Sequence, residues 1–266
     1  MLQGAMSFFT TGMKQILKNI FFRCAALFPQ EMDGKASILM YHSVKKNSEH
    51  FFAVSPDKFR EQMQFLHKEH REVITFAELL SRMEHHTLRG GEVVISFDDG
   101  YRDNFTDAFP ILQEYEFPAT IFVTTGLIGK RSEHGEDMLT ASDIRVMHAS
   151  GLIDFEPHSV SHPKLAKLDK AFAKKEIVES KEYLETLLMK SCEFFAYPYG
   201  NHTDETVGIV RDMGFKAAVT VREGSVSSGV DPLRLRRNSI DKLTTLTQFL
   251  GKISRSVDWY QKLKRA

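Results

Sequence analysis

The chain has 266 residues, 42% of them hydrophobic and 26% charged, which is enough apolar material for one large domain or two small ones. That composition excludes a disordered, collagenous or disulfide-stapled protein. Lys+Arg and Asp+Glu both number 35, so the formal charge is zero and the basic excess of a general nucleic-acid binder is absent.

In chain order, residues 1–35 come first as an N-terminal segment. No acidic residue occurs from Met1 to Gln30, and Lys14, Lys18 and Arg23 stand among Phe8, Phe9, Ile16, Leu17, Ile20, Phe21, Phe22 and Leu27. Two expectations fit: a basic amphipathic helix making peripheral contact with an anionic membrane surface, or a helix packed on the folded domain. Arg23 and Pro29 break the apolar run before it reaches the length of a spanning helix or a signal core. The expected location is therefore cytoplasmic, at the inner face of the cell membrane where that contact is made. Cys24 and Cys192 form neither a CxxC pair nor a disulfide framework.

From Ser37 short apolar runs alternate with helical patterns. The predicted strands are Ile38–Tyr41, Glu72–Ile74, Val93–Phe97, Ala119–Thr124, Leu152–Phe155, Phe194–Tyr197, Lys216–Val221 and Leu233–Ile240. Between them, Ser55-Pro56-Asp57 reads as a helix start, Thr75 with Glu78 as a capping box, and Asp204 and Gly214 as the two ends of another helix. Strands alternating with helices predict a parallel sheet, and seven to eight units fit a distorted (β/α) barrel in the α/β class. Residues 36–242 form that predicted barrel, and 243–266 a basic helical tail around Trp259-Tyr260.

In such a barrel the chemistry gathers where strands end. Val93–Phe97 runs into Asp98-Asp99-Gly100-Tyr101. Side chains alternate along a strand, so the two carboxylates are expected to do different jobs, one able to ligate a cation while the other faces a different part of the pocket; Asp99 also fits an ordinary helix N-cap. Leu152–Phe155 leads to His158 and His162, whose spacing lets both reach one metal from a single turn, with Pro163 excluding a longer helix. Two histidines need one more ligand, and Asp99 can supply it. A third run ends at Tyr197-Pro198-Tyr199-Gly200, a turn able to aim a backbone N–H at an oxyanion, and His42 ends the first strand. Phe97, Tyr101, Tyr199, Phe51, Phe52 and Tyr197 are candidate sugar-stacking rings.

Taken together and in this order, these stretches resemble the polysaccharide deacetylase family, the carbohydrate esterases with a NodB-type homology domain. Ser96-Phe97-Asp98-Asp99-Gly100 is similar to its first motif, His158-Ser159-Val160-Ser161-His162 to its second, and Pro198-Tyr199-Gly200 to the end of its third. The resemblance implies that Asp99, His158 and His162 bind a divalent metal, most often Zn2+, with Co2+ and Ni2+ as alternatives. It also implies that Asp98 is the general base and that the Tyr199 N–H stabilises the oxyanion. Three family features are missing: Ala196 stands where an orienting Arg is usual, Trp259 is the only Trp, and no histidine follows His202. Tyr41-His42 with Ala196-Tyr197-Pro198-Tyr199-Gly200 is similar to the subgroup that deacetylates poly-N-acetylglucosamine, in which an early histidine is the acid. On that likeness His42 is the acid, and Arg237 is the candidate replacement for the missing Arg.

The function read from these residues is metal-dependent removal of N-acetyl groups from an N-acetylated glycan or amino sugar. The same site also suits O-acetyl ester cleavage, and a catalytically degenerate glycan-binding barrel is the alternative from another class.

Overall fold

The computed structural model describes residues 17–25 and 32–264. Helix α1 (residues 17–25) precedes β1 (Lys35–Tyr41), β2 (Ser43–Val44), β3 (Ala53–Val54), α2 (Pro56–Lys68), α3 (Phe76–Glu84) and β4 (Val93–Asp99). Then come α4 (Phe109–Glu114), β5 (Ala119–Val123), α5 (Ala141–Ala149), β6 (Ile153–Pro157), α6 (Lys170–Leu188), β7 (Phe194–Ala196), α7 (Asp204–Asp212) and β8 (Ala217–Val219). The chain closes with β9 (Val226–Ser227), β10 (Asn238–Ser239), α8 (Leu246–Lys252) and α9 (Ser256–Leu263).

The expected parallel sheet is present, in the order β10-β1-β4-β5-β6, with β7 and β8 as a parallel pair and β9 antiparallel to the foot of β1. Val219 bridges Leu235, three residues before β10, so one parallel path runs from β7 round to β6. Backbone pairing stops at the seam between β6 and β7, and side chains stitch it. The Glu156 carboxylate, 1% exposed, accepts the Phe194 N–H at 3.0 Å and pairs with Lys190 at 2.8 Å. Higher on the same seam, His158 Nδ1 meets Ala196 O at 2.8 Å.

Period-two alternation sorts the core. Ile38, Val94, Phe122, Ala196 and Val219 belong to one buried cluster, joined by Phe76, Leu79 and Met83 of α3. Leu39, Tyr41, Ile95, Phe97, Ile121 and Phe155 belong to another, with Phe59 and Met63 of α2. Strands apolar on both faces are what helix-covered parallel sheets require. Ser96 and Asp98 share the parity of Val94, which carries them toward the first cluster.

The helix starts follow their sequence signals. Ser55 Oγ accepts the Lys58 N–H and Thr75 Oγ1 the Glu78 N–H, although the Glu78 carboxylate turns to Arg82 and completes no box. The α7 cap is Thr203, one residue before Asp204, and Gly214 follows with φ 80°. Two strand expectations are corrected. Glu72–Ile74 makes only a bridge, Val73 to Val93, because it is the short link between α2 and α3 crossing the foot of β4. Leu233–Ile240 is broken by a 3-10 turn at Pro232–Arg234, leaving β10 two residues long.

The described turns of the N-terminal segment are helical and packed on the domain; residues 1–16 and 26–31 of it lie outside the described residues. Phe22 is buried over Gly251, and Asn19 Oδ1 accepts from Thr245 Oγ1 and Gln248 Nε2 at 2.9 and 2.7 Å. Leu17 and Ile20 are exposed. Among the described residues no helix is long and apolar enough to cross a membrane.

Because Glu156 spans the unpaired β6–β7 seam, Glu156→Ala should lower stability by roughly 2 kcal/mol, leaving the Phe194 N–H without its acceptor. Glu156→Gln should lose less, since an amide oxygen still accepts there. Urea-denaturation midpoints of the two variants check the order.

Candidate active site

Asp98 lies deep in the site. Its carboxylate is 2% exposed and is held in a fork by Arg237, itself fully buried, with Nη1–Oδ1 at 2.6 Å and Nη2–Oδ2 at 2.7 Å. Arg237 is aimed by Nε–H donation to Thr220 O at 3.0 Å and lies over the Phe122 ring. Burial alone would raise the Asp98 carboxyl, but Arg237 and then His158 outweigh it and hold it below the ordinary carboxylate range.

Asp98 and Asp99 face different parts of one pocket, as expected, Asp98 toward Arg237 and Asp99 toward His162. Asp99 has φ 71°, which breaks the strand geometry and returns its carboxylate to the mouth that Asp98 faces. His158 Nε2 then lies 4.0 Å from Asp98 Oδ2 and 3.7 Å from Asp99 Oδ1. Burial, reinforced by the Asp98 charge, pushes Asp99 up to about 6.

His158 and His162 share a loop rather than a helical turn, with Ser159 at φ 63° and His162 at φ 58°. With Ala196 O as partner, His158 Nδ1 carries the proton, so Nε2 presents a lone pair to the cleft. His162 Nε2 is 3.1 Å from it and 3.4 Å from Asp99 Oδ1. Burial takes His158 down to about 3 and also lowers His162, so both rings are neutral. One carboxylate and two imidazoles thus present ligand atoms within 4.8 Å of one another. Three N/O donors of this kind, with a protein acceptor fixing one tautomer, fit a catalytic zinc site or a Co2+ or Ni2+ one.

Sequence reasoning missed the groups that hold this loop. Glu176 of α6 accepts from Val160 N at 2.9 Å, Ser161 N at 2.8 Å and Ser161 Oγ at 2.7 Å. Ser159 Oγ accepts the His162 N–H at 3.0 Å, and Gly126 N–H donates to Val160 O at 2.8 Å. A Cβ at Gly126 would lie 2.5 Å from that oxygen. Nothing local marks Glu176 among the other acids of α6; only the packing brings it to the loop.

His42 stands across the cleft, half-buried, its ring stacked on Phe52 at 4.6 Å and its buried Nδ1 without a hydrogen-bond partner. Burial lowers its pKa while Asp99 and Asp98 oppose the shift. Its backbone is anchored by two further residues that sequence reasoning passed over. Asn104 Nδ2 donates to His42 O at 2.7 Å, and Asp103 accepts from Ser43 Oγ and Val44 N at 2.6 and 2.9 Å. Tyr199 lies in a 3-10 turn at φ 57° and lays its ring on His162 at 4.4 Å.

His42, Asp98, Asp99, His158, His162 and Tyr199 line one cavity of about 560 Å³, with Arg237 beneath Asp98. Of the candidate stacking rings, Phe97 and Tyr197 are fully buried core, whereas Phe52, Tyr101 and Tyr199 line the cavity. Phe51 is exposed outside the lining.

A parallel α/β fold with this cluster at its strand ends is that of a hydrolase, and comparison with known proteins gives its family. The polysaccharide deacetylase family model matches residues 85–218, half the chain, and the protein belongs to that family. It is similar to a Staphylococcus aureus (strain NCTC 8325) poly-beta-1,6-N-acetyl-D-glucosamine N-deacetylase, 29% identical over 217 residues covering 73% of this chain and 75% of the relative. Among solved structures, the Streptococcus pyogenes deacetylase PplD in complex with acetate superposes with a TM-score of 0.75 at 29% identity, covering 82% of this chain and 98% of that one. IcaB from Ammonifex degensii gives 0.74 at 27% identity, covering 83% and 97%.

Two measurements bear on the donor set. Metal affinity should fall as pH drops through about 6, because Asp99 then takes up a proton that the cation must displace; zinc competition titrations between pH 5 and 8 read this. In the same titrations Glu176→Ala should weaken binding roughly tenfold by releasing the loop that aims His162.

Proposed function

We propose that the protein is a metal-dependent N-deacetylase acting on a polymer of N-acetylglucosamine, of the β-1,6-linked kind named for its staphylococcal relative. The observation that carries this reading is the joint reach of His158 Nε2, 4.0 Å from Asp98 and 3.7 Å from Asp99, which sets a held carboxylate beside a metal-ligand set.

Asp99, His158 and His162 would hold the cation. When bound, a divalent ion acidifies a water toward a pKa of ~7 and polarises the acetamide carbonyl. Asp98 takes the proton of the attacking water. A carboxylate gripped by Arg237 is a weak base, suited to a water already made acidic, and the fork keeps its oxygens in one orientation. Water adds to the acetyl carbon, and the Tyr199 N–H supports the developing oxyanion. His42, protonated for this step, then gives its proton to the departing nitrogen as the C–N bond breaks, leaving acetate and a free amine, and the proton held by Asp98 is released to solvent as the site resets. The aromatic edges of Phe52 and Tyr101 offer apolar contact to sugar faces.

Acetate release from β-1,6-linked N-acetylglucosamine oligomers should therefore be abolished by a chelator and restored by Zn2+, Co2+ or Ni2+. Release from acetylated xylan alone would move the reading to an O-acetyl esterase. Asp98→Asn should lower kcat at least ~100-fold while zinc affinity stays near wild type, and His42→Ala should lower kcat by a similar factor. An Asp98→Asn variant with full activity would remove Asp98 from the mechanism.

A further inference from the structure

A second cavity, of about 510 Å³, lies outside the active cleft, walled by the 222–236 segment and α9. It shares no lining residue with the cleft. The chain between β8 and β9 divides the two. Val221 and Glu223 line the active cleft, whereas Arg222 and Ser225 line the second cavity.

The second cavity is strongly cationic although the whole chain carries no net charge. Its two carboxylates are already committed. Asp258 pairs with Lys35 at 2.8 Å and accepts from Ser225 N and Oγ at 3.0 and 2.6 Å. Asp231 pairs with Arg234 at 3.0 Å and accepts the Leu233 N–H. Four further cations, Arg222, Arg236, Arg255 and Lys262, line the cavity, and none of them has an ion pair among the described residues. Four like charges around one concavity repel one another, and an anion relieves that repulsion.

Two of the four are also held in place. Gly224, at φ 144°, passes so close to Arg236 that a Cβ there would lie 2.9 Å from Arg236 Cδ and 3.0 Å from Nη1. Arg255 lies over the Trp259 ring with Cζ 5.7 Å from its centroid. Preorganised guanidinium groups favour planar, bidentate recognition of oxyanions. The volume falls in the range of small-molecule sites. The substrate class argued above becomes cationic as it loses acetyl groups, so this cavity does not suit its product.

We infer that this cavity is an anion site for a phosphate group, bound by Arg222, Arg236, Arg255 and Lys262. Free phosphate compounds and phospholipid headgroups share that chemistry, and the test separates them. Full-length protein would be titrated calorimetrically at low ionic strength with inorganic phosphate and pyrophosphate. It would also be sedimented with vesicles of phosphatidylcholine alone or with 30% phosphatidylglycerol. The variants are Arg222→Ala and Arg236→Ala, with Lys174→Ala, an exposed lysine on α6, as the distant control, each checked for an unchanged urea midpoint.

Saturable phosphate or pyrophosphate binding, weakened about tenfold or more by each arginine variant and unaffected by Lys174→Ala, supports a soluble phosphate ligand. Binding confined to the phosphatidylglycerol vesicles, with the same variant pattern, supports a headgroup. No binding in either arm, or binding weakened equally by Lys174→Ala, overturns the proposal. None of these readouts depends on deacetylase activity, so its outcome stands apart from the catalytic reading.

Discussion

The buried fork between Arg237 and Asp98 is the constraint on which the rest of the structure depends. Neither side chain has appreciable contact with water. Two charges taken from water are costly unless each finds a full set of partners, so the surroundings must supply them. Arg237 therefore also donates to Thr220 O and Ser96 Oγ, and the fork ties the end of β4 to the segment leading into β10, across the strand mouth. The pair fixes where the mouth is and keeps one carboxylate ionised within it. Replacing it by apolar side chains of similar volume could leave the barrel as stable, so its position at the mouth is better explained by chemistry than by stability.

Around that fork the backbone departs from ordinary conformation. Asp99, Ser159, His162 and Tyr199 all have positive φ without being glycine, and all four belong to the active-site cluster or its loop. Such conformations persist only where surrounding contacts over-determine them. Those contacts are present: three hydrogen bonds into Glu176, the Ser159 side chain under His162 N, and the close passage of Gly126 under Val160. The strain has a geometric consequence, since an extended Asp99 would face the helices outside the sheet. The left-handed turn sets its carboxylate beside the two imidazoles.

The incomplete barrel belongs to the same design. At the β6–β7 seam, side chains replace a backbone ladder, and one of them is His158. The ring that joins the donor set thus also closes the seam through its other nitrogen, so its tautomer is fixed by architecture. The outer helices carry less of this burden: α1 docks through Phe22 and Asn19 onto α8, and neither residue lines the cleft.

The amino-acid sequence by itself determined the parallel α/β pattern, because apolar runs of strand length between capped helices admit few other arrangements. It also determined the identities in the cluster: Asp98, Asp99, His158 and His162 stand at strand ends where barrels gather their chemistry. His42 and Arg237 were legible as candidates from the family likeness, and the cleft holds the first while the second lies under Asp98. What only the tertiary structure decided are the relations across long separations. Arg237 meets Asp98 from 139 residues away, and Glu176 grips the histidine loop from another layer. Asp103 and Asn104 brace His42 from some sixty residues on. The left-handed turn at Asp99 is likewise not visible in strand alternation. Local pattern encodes which way a strand or helix faces, because that depends on neighbours two to four residues away. Pairings between buried polar groups depend on which elements pack together, and no short stretch of sequence contains that information.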